Sequence, residues 1–283
     1  MAYEIAYTRP RDLTEALEFL AKNGNGSTIV AGGTDVMVDL RSGELKTRHL
    51  LDVHRLEELQ GIRLEGNNLR VGAAVTLSQI RQSSLLGQYA PALKKSAENF
   101  ASTQIRNVAT IGGNVAHCSP CGDTVPPLVI HGARVIIASK KGQREVAVEE
   151  IATGPYQCLL GKDEMIIAFL LQPMETDFAD FQKIGRRKEL AISRLSLAAM
   201  ANKDEQGRIS LFRVSLGACT PTPNRMTAVE DFLIGKIPDA KLLFAAGRLL
   251  AEEMIEITGR RSSIIYKEPA VQGLFVRMLA PVI

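Results

Sequence analysis

The sequence contains no tryptophan, and aromatic residues make up only 5% of its 283 positions. A stacking platform for sugars or nucleobases is therefore not expected, because such platforms are built from aromatic faces. Cysteine is scarce. The four present, Cys118, Cys121, Cys158 and Cys219, are too few for a disulfide framework in a chain of this length. No apolar run reaches the roughly 18 residues of a membrane span. The opening residues carry neither a basic start nor an apolar stretch, so no secretory signal is read and a cytoplasmic location is expected. A net charge of +3 without a dense basic stripe argues against nucleic acid as a partner. The four histidines (His49, His54, His117, His131) pair with no Ser, Cys or carboxylate at a recognisable spacing. No hydrolytic triad, no catalytic residue and no metal site is assigned.

What is present is a globular composition, 46% hydrophobic and 23% charged. The first helix opens at Asp12, which with Glu15 follows the capping-box pattern. Leu13, Ala16, Leu17, Leu20 and Ala21 give it one apolar face, and Asn23-Gly24 ends it. Strands are expected over 27–30, 50–53, 62–64, 69–75 and 165–171, with a hairpin of 135–138 and 145–148. Helices are expected from 36 to about 41, after the Thr76–Gln79 capping box, and from Pro91 to about 99. The segment 173–177 is polar and contains a proline, and a domain boundary is placed there. Beyond it a hairpin of 195–203 and 208–218 precedes two helices, about 240–257 and 270–279. Hairpins outnumber βαβ units, so the fold class is α+β.

Two glycine-paired runs stand out: Ala31-Gly32-Gly33-Thr34-Asp35 and Thr110-Ile111-Gly112-Gly113-Asn114. Each follows an apolar stretch and carries a small polar residue directly after the glycines. Read as loops, they bring bare backbone N–H groups close to a ligand, since glycine has no Cβ in the way and tolerates positive φ. Two such loops suit one extended anion, such as a dinucleotide pyrophosphate. Neither run matches the Gly-x-Gly-x-x-Gly or P-loop pattern. The string from Thr103 to Asn114, followed by Ser119-Pro120 and Gly122-Asp123, is far more specific than either run alone.

With these motifs the chain resembles the FAD-binding medium subunit of the molybdenum hydroxylases, the group of carbon monoxide, xanthine and nicotinate dehydrogenases. The resemblance extends over nearly the whole chain, including Lys183-Ile184-Gly185-Arg186-Arg187-Lys188 and the C-terminal α+β unit. It implies an FAD-binding domain over 1–174, of the PCMH/VAO-like type, with subdomains at about 1–55 and 56–174 that clasp the cofactor. A smaller C-terminal flavoprotein domain follows over 175–283.

The resemblance also implies roles. Ala31, Gly32, Gly33, Thr34 and Asp35 match the first pyrophosphate loop, with Ile29 and Val30 leading into it. Thr110, Gly112, Gly113 and Asn114 match the second. Asp123 matches an FAD-binding position near the ribityl chain or the isoalloxazine. Ile167 matches an apolar position beside the flavin ring. Lys183 matches a lysine reaching the flavin's pyrimidine side, where a cation favours negative charge building during reduction. Without the resemblance, Lys183 reads equally well as a solvated lysine in a basic run.

Some positions depart from better-known members. Ile192 falls where some carry an aromatic beside the flavin. Leu190 and Ala191 lie where NAD-using members carry acidic residues, which weighs against NAD as acceptor. Cys118-x-x-Cys121 could be a redox pair or half of a metal site, but Cys158 and Cys219 stand alone in the sequence. Small buried thiols are the favoured reading. Pro126-Pro127 either begins a short helix or simply ends the loop.

The function so implied is an FAD-carrying electron-transfer subunit. It would pass electrons from iron–sulfur clusters to an external acceptor. The chain has no four-cysteine cluster motif, so [2Fe–2S] clusters and molybdopterin are expected on partners. These are a small iron–sulfur subunit and a large molybdopterin subunit, arranged as a dimer of heterotrimers. A stand-alone FAD-dependent oxidoreductase is the alternative, and a nucleotide-binding subunit without flavin is a third reading.

Overall fold

The structure, a computed structural model, describes residues 4–187 and 190–283. Lys188, the last residue of the basic run, lies outside them. In chain order the elements begin with β1 (Ala6–Thr8), α1 (Leu13–Asn23), β2 (Ser27–Val30), α2 (Val36–Ser42) and β3 (His49–Asp52). Next come β4 (Ile62–Glu65), β5 (Asn68–Gly72), α3 (Leu77–Gln82), α4 (Ser84–Tyr89), α5 (Pro91–Glu98), α6 (Thr103–Arg106), α7 (Ile111–Ala116) and α8 (Val125–Ile130). Then follow β6 (Arg134–Ser139), β7 (Gly142–Ala147), α9 (Val148–Ile151), β8 (Ala152–Gly154), β9 (Gln157–Cys158) and β10 (Met165–Leu171). The last part holds β11 (Phe178–Gly185), β12 (Ser193–Lys203), β13 (Ile209–Gly217), α10 (Thr227–Leu233), α11 (Ala240–Thr258) and α12 (Ile264–Leu279). Helices and strands are mixed, as α+β requires.

Two compact units share the chain, and it crosses between them five times. One unit is residues 1–83, 102–118 and 133–172. The other is 84–101, 119–132 and 173–283.

The first unit holds a parallel sheet of order β1-β3-β2 and an antiparallel sheet of order β4-β5-β10-β6-β7. Leu69, Val71, Val135, Ile137, Phe169 and Leu171 from β5, β6 and β10 are fully buried. Period-2 alternation sends such side chains to one face of their strands. Local capping sets the helix starts. Asp12 accepts a hydrogen bond from Glu15 N at 2.8 Å, but the Glu15 carboxylate turns to the N–H and guanidinium of Arg11 instead of completing the box. At Thr76 the box is complete, with Gln79 Oε1 2.7 Å from Thr76 N. The strand expected to run to position 75 ends at Gly72, and Ala73 to Val75 form hydrogen bonds that matter for the site.

In the second unit β11, β12 and β13 form an antiparallel sheet buried on both faces. Leu195, Leu197, Ala199 and Ala201 of β12 pack with α10, α11 and α12 around Phe212 and Phe275. The alternate residues Ala198 and Met200 pack with Phe181, with Ala92 of α5 and with Ile130 of α8. α12 begins six residues earlier than the apolar pattern predicts. Pro269 lies inside it and forfeits one backbone bond.

Candidate functional site

The first glycine run follows the C-terminal end of β2, an edge strand of the parallel sheet. The backbone N–H groups of Gly32, Gly33, Thr34 and Asp35 donate to no acceptor among the described residues. Four adjacent unsatisfied donors are costly unless water or a ligand meets them, and together they form an anion-binding concavity. The two glycines are required for different reasons. Gly33 has φ +68°, a left-handed conformation strained for other residues. A Cβ on Gly32 would collide with the Val108 carbonyl and Ala109 Cα. Backbone therefore rests on backbone at that point, which brings the first run against the residues entering the second.

The second run differs from expectation. It is not a loop but the first turn of α7, and its N–H groups are not bare. Ile111 N donates to Val75 O at 3.0 Å and Gly112 N to Ala73 O at 2.9 Å. Thr110 is the N-cap, its Oγ1 accepting from Gly113 N at 3.1 Å, and Asn114 N donates to Thr110 O. The free N–H groups thus come from the first run, while the second contributes shape. A Cβ on Gly112 would meet Ala73 O at 2.7 Å, whereas one on exposed Gly113 would touch only Thr110 Oγ1, at 3.0 Å. Glycine at 112 serves packing, and at 113 it keeps a surface bare.

Ile167 joins the same framework. It is buried and sits at a bulge in β10, between Ile166 and Ala168, where the register with β6 shifts. Its carbonyl accepts from Ala73 N at 3.0 Å, and Ala73 O accepts from Gly112 N. Backbone hydrogen bonds therefore tie Ile167 through Ala73 to Gly112. His117, one residue past α7, lies 4.0 Å from the Asp35 carboxylate and edge-on to Tyr156.

Asp123 and Lys183 lie in the second unit and are bonded to each other. Lys183 Nζ donates to Asp123 Oδ2 at 2.6 Å and to Ala191 O at 3.3 Å. Ser193 Oγ donates to Asp123 Oδ1 at 2.5 Å. Burial pushes the Asp123 carboxyl up, and Lys183 and Ser193 pull it back. The solvated-surface reading of Lys183 does not hold, since its side chain is only 13% exposed. Two of its three N–H groups are engaged, and the third has no acceptor among the described residues. Ser193 was not anticipated, because nothing local marks a hydroxyl 70 positions from its carboxylate. Leu190 and Ile192 are exposed, Ile192 at 79%.

The cysteines also depart from the sequence reading. Cys158 does not stand alone, since Cys118 Sγ lies 3.7 Å from the Ile151 carbonyl, which also accepts from Leu159 N beside Cys158. Cys121 interacts with Cys219 and Lys267 in the other unit. No cluster of three or more His, Cys, Asp or Glu suited to a metal is found among the described residues. Pro126 and Pro127 lie in the first turn of α8.

Residues 3–171 match the family model described as the FAD binding domain in molybdopterin dehydrogenase. The chain belongs to this family. Residues 180–282 match the CO dehydrogenase flavoprotein C-terminal domain. The chain is 34% identical over 261 residues to the xanthine dehydrogenase FAD-binding subunit of Escherichia coli O157:H7, covering 91% of this chain and 87% of that one. It is 27% identical over 285 residues to the nicotinate dehydrogenase FAD-subunit of Eubacterium barkeri, covering 99% and 96%. A solved carbon monoxide dehydrogenase structure from Hydrogenophaga pseudoflava superposes with a TM-score of 0.90 at 25% identity, covering 98% and 96% of the two chains. These relatives are FAD or medium subunits of dehydrogenases, so this member of the family is the flavin subunit of an oxidoreductase. No helix among the described residues is long and apolar enough to cross a membrane.

The residues present fit FAD. The row of N–H donors from Gly32 to Asp35 suits a pyrophosphate, and the bare surface at Gly113 lets a ligand approach the backbone.

Proposed function

We propose that this chain carries FAD and relays electrons within a multisubunit molybdenum hydroxylase, from iron–sulfur clusters on a partner to an external acceptor. The observation that carries this reading is the row of unsatisfied N–H groups at Gly32, Gly33, Thr34 and Asp35, packed through Gly32 against the backbone leading to Thr110. These donors hold the pyrophosphate. Ile29 and Val30 fix the start of the run in β2, and Thr110 and Asn114 frame the first turn of α7. Gly112 sets the position of that turn, and Gly113 keeps it open. Ile167 supplies an apolar wall for the flavin ring. Lys183 offers its remaining N–H to the flavin's pyrimidine side, and Asp123 acts as a positioning residue that fixes the ammonium. Bound FAD supplies the two-electron carrier, and the protein groups bind and orient it.

The partners we propose are a small iron–sulfur subunit and a large molybdopterin subunit, in a cytoplasmic dimer of heterotrimers. The cofactor and partner assignments follow from relatives named as FAD and medium subunits. The test is reconstitution of the purified full chain with FAD, followed by its visible spectrum and by co-purification from its native source. Equimolar bound flavin, with an iron–sulfur and a molybdopterin subunit alongside, is expected. Absence of flavin bands after reconstitution overturns the cofactor assignment. A stable monomer active alone on an organic substrate overturns the subunit assignment.

A further inference from the structure

Cys118 and Cys158 are 40 positions apart, and the fold of the first unit brings them to one carbonyl, that of Ile151. Cys118 follows α7, and its N–H donates to Val115 O at 3.1 Å. Its Sγ lies 3.4 Å from Val115 O and 3.7 Å from Ile151 O. Ile151 leads into β8, and Cys158 of β9 stands opposite Ala152 of β8. Leu159 N donates to the same Ile151 carbonyl at 2.8 Å. The S–H of Cys118 thus has two carbonyl acceptors, one of which it shares with the backbone beside Cys158.

The two cysteines are not equivalent. Cys118 is 5% exposed, whereas Cys158 is only half-buried at the edge of a two-stranded sheet. The S–H of Cys118 and the backbone N–H groups of Leu160 and Leu159 all favour a thiolate at Cys158. Burial opposes them, and the balance brings Cys158 down to about 7. The neighbouring Cys158 sulfur, then burial, push the Cys118 thiol up. The backbone around the pair is strained. Cys118 has φ +52° and Tyr156 φ +58°, and Tyr156 N donates to Cys118 O at 2.9 Å. Non-glycine residues adopt such angles at a cost, and they cluster at functional sites.

We propose that Cys158 and Cys118 form a hydroperoxide-reactive dithiol, in which Cys158 is the attacking thiolate and Cys118 the resolving thiol. In the first step the Cys158 sulfur attacks one oxygen of a hydroperoxide. An S–O bond forms and the O–O bond breaks. The other oxygen leaves with a proton as water or an alcohol. The sulfur loses two electrons to the peroxide and becomes a sulfenic acid. In the second step Cys118 attacks that sulfur. An S–S bond forms, the S–O bond breaks, and the leaving hydroxide takes the Cys118 proton as water. The product staples the end of α7 to the β8–β9 hairpin. Gly112 and Gly113 lie in the first turn of α7, so the staple holds the element on which the second glycine run lies. This chemistry is independent of the electron-transfer reading and needs no flavin.

The test uses the full chain treated with equimolar hydrogen peroxide and read by intact-mass and peptide analysis. The wild type is expected to lose the mass of two hydrogen atoms and to yield a cross-linked peptide joining Cys118 and Cys158. Cys118→Ser, or Cys118→Ala if the serine variant folds poorly, is expected instead to gain one oxygen, trapped at Cys158 by a sulfenic-acid reagent. Cys158→Ser is expected to form neither product at the same dose, while Cys121→Ser behaves as wild type. Before oxidation, iodoacetamide at neutral pH is expected to alkylate Cys158 at least about tenfold faster than Cys219, whose buried thiol is pushed up to about 12. A cross-link through Cys121 or Cys219, unchanged wild-type mass, or equal alkylation of Cys158 and Cys219 overturns the proposal.

Discussion

Lys183 Nζ lies 2.6 Å from Asp123 Oδ2, and both side chains are largely withdrawn from solvent. Each charge has the other as its main compensation, so removing one leaves the other buried and unpaired. Lys183→Met is expected to lower unfolding free energy by about 3 kcal/mol. Ser193→Ala, which removes only a hydrogen bond to the carboxylate, is expected to cost about 1–2 kcal/mol. Adding Asp123→Asn to Lys183→Met should recover part of the loss. Denaturant titration of the four proteins checks this, and equal losses for Lys183→Met and Ser193→Ala would contradict it.

The paired glycines of α7 are expected to separate folding from binding. A valine Cβ at 112 meets the Ala73 carbonyl and Cβ at 2.7 and 2.8 Å, so Gly112→Val should fail to fold or melt far below wild type. Gly113→Val meets only Thr110 Oγ1 and points into open space. Its fold should survive while FAD retention is lost. Circular dichroism with flavin absorbance reads both, and full FAD retention by Gly113→Val would refute the assignment of that surface.

Local chemistry was the most legible part of the chain. The Asp12 and Thr76 caps, the apolar face of α1 and strand β10 all rest on neighbours within a few positions. The second glycine run reads as a loop because Gly-Gly followed by a small polar residue is ordinary turn chemistry. Its helical state depends on Ala73 and Val75, which accept the N–H groups of Gly112 and Ile111 from well upstream. β11, which carries Lys183, escapes a reading of the sequence as a strand, because its polar residues gain shelter from β12, α5 and α12, all distant in the chain. For the site, the participating residues were legible and their division of labour was not. Ser193 for Asp123 and Cys158 for Cys118 are long-range partners that no spacing announces.

His131 is expected to make the protein acid-sensitive. It is buried, neither ring nitrogen has a hydrogen-bond partner, and burial followed by the nearby Arg213 charge hold it down to about 4. Below its ordinary value near 6.5 the unfolded chain takes up a proton that the folded chain refuses. Stability therefore falls as pH drops from about 6.5 towards 4, by roughly 3 kcal/mol from this group. His131→Phe should flatten that part of the stability–pH curve. Denaturant midpoints of both proteins across the window provide the measurement.

A polypeptide of residues 175–283 alone is expected to associate in solution. It lacks α5 and α8, which cover Phe181, Ala198 and Met200 on one face of the three-stranded sheet. Size-exclusion chromatography and binding of a hydrophobic dye would show this. A monomeric fragment that binds no dye would contradict it.

The same arrangement governs how the protein is made. α8 leaves the ribosome with its apolar side chains unburied, and the sheet that receives them is complete only when β13 emerges, 87 residues later. At about 5–20 residues per second that interval is on the order of ten seconds. During that time Pro126, Leu128 and Ile130 have no partner strand, so the nascent chain is a natural client for holding chaperones. The second unit can close only late in synthesis, around helices made long before its sheet.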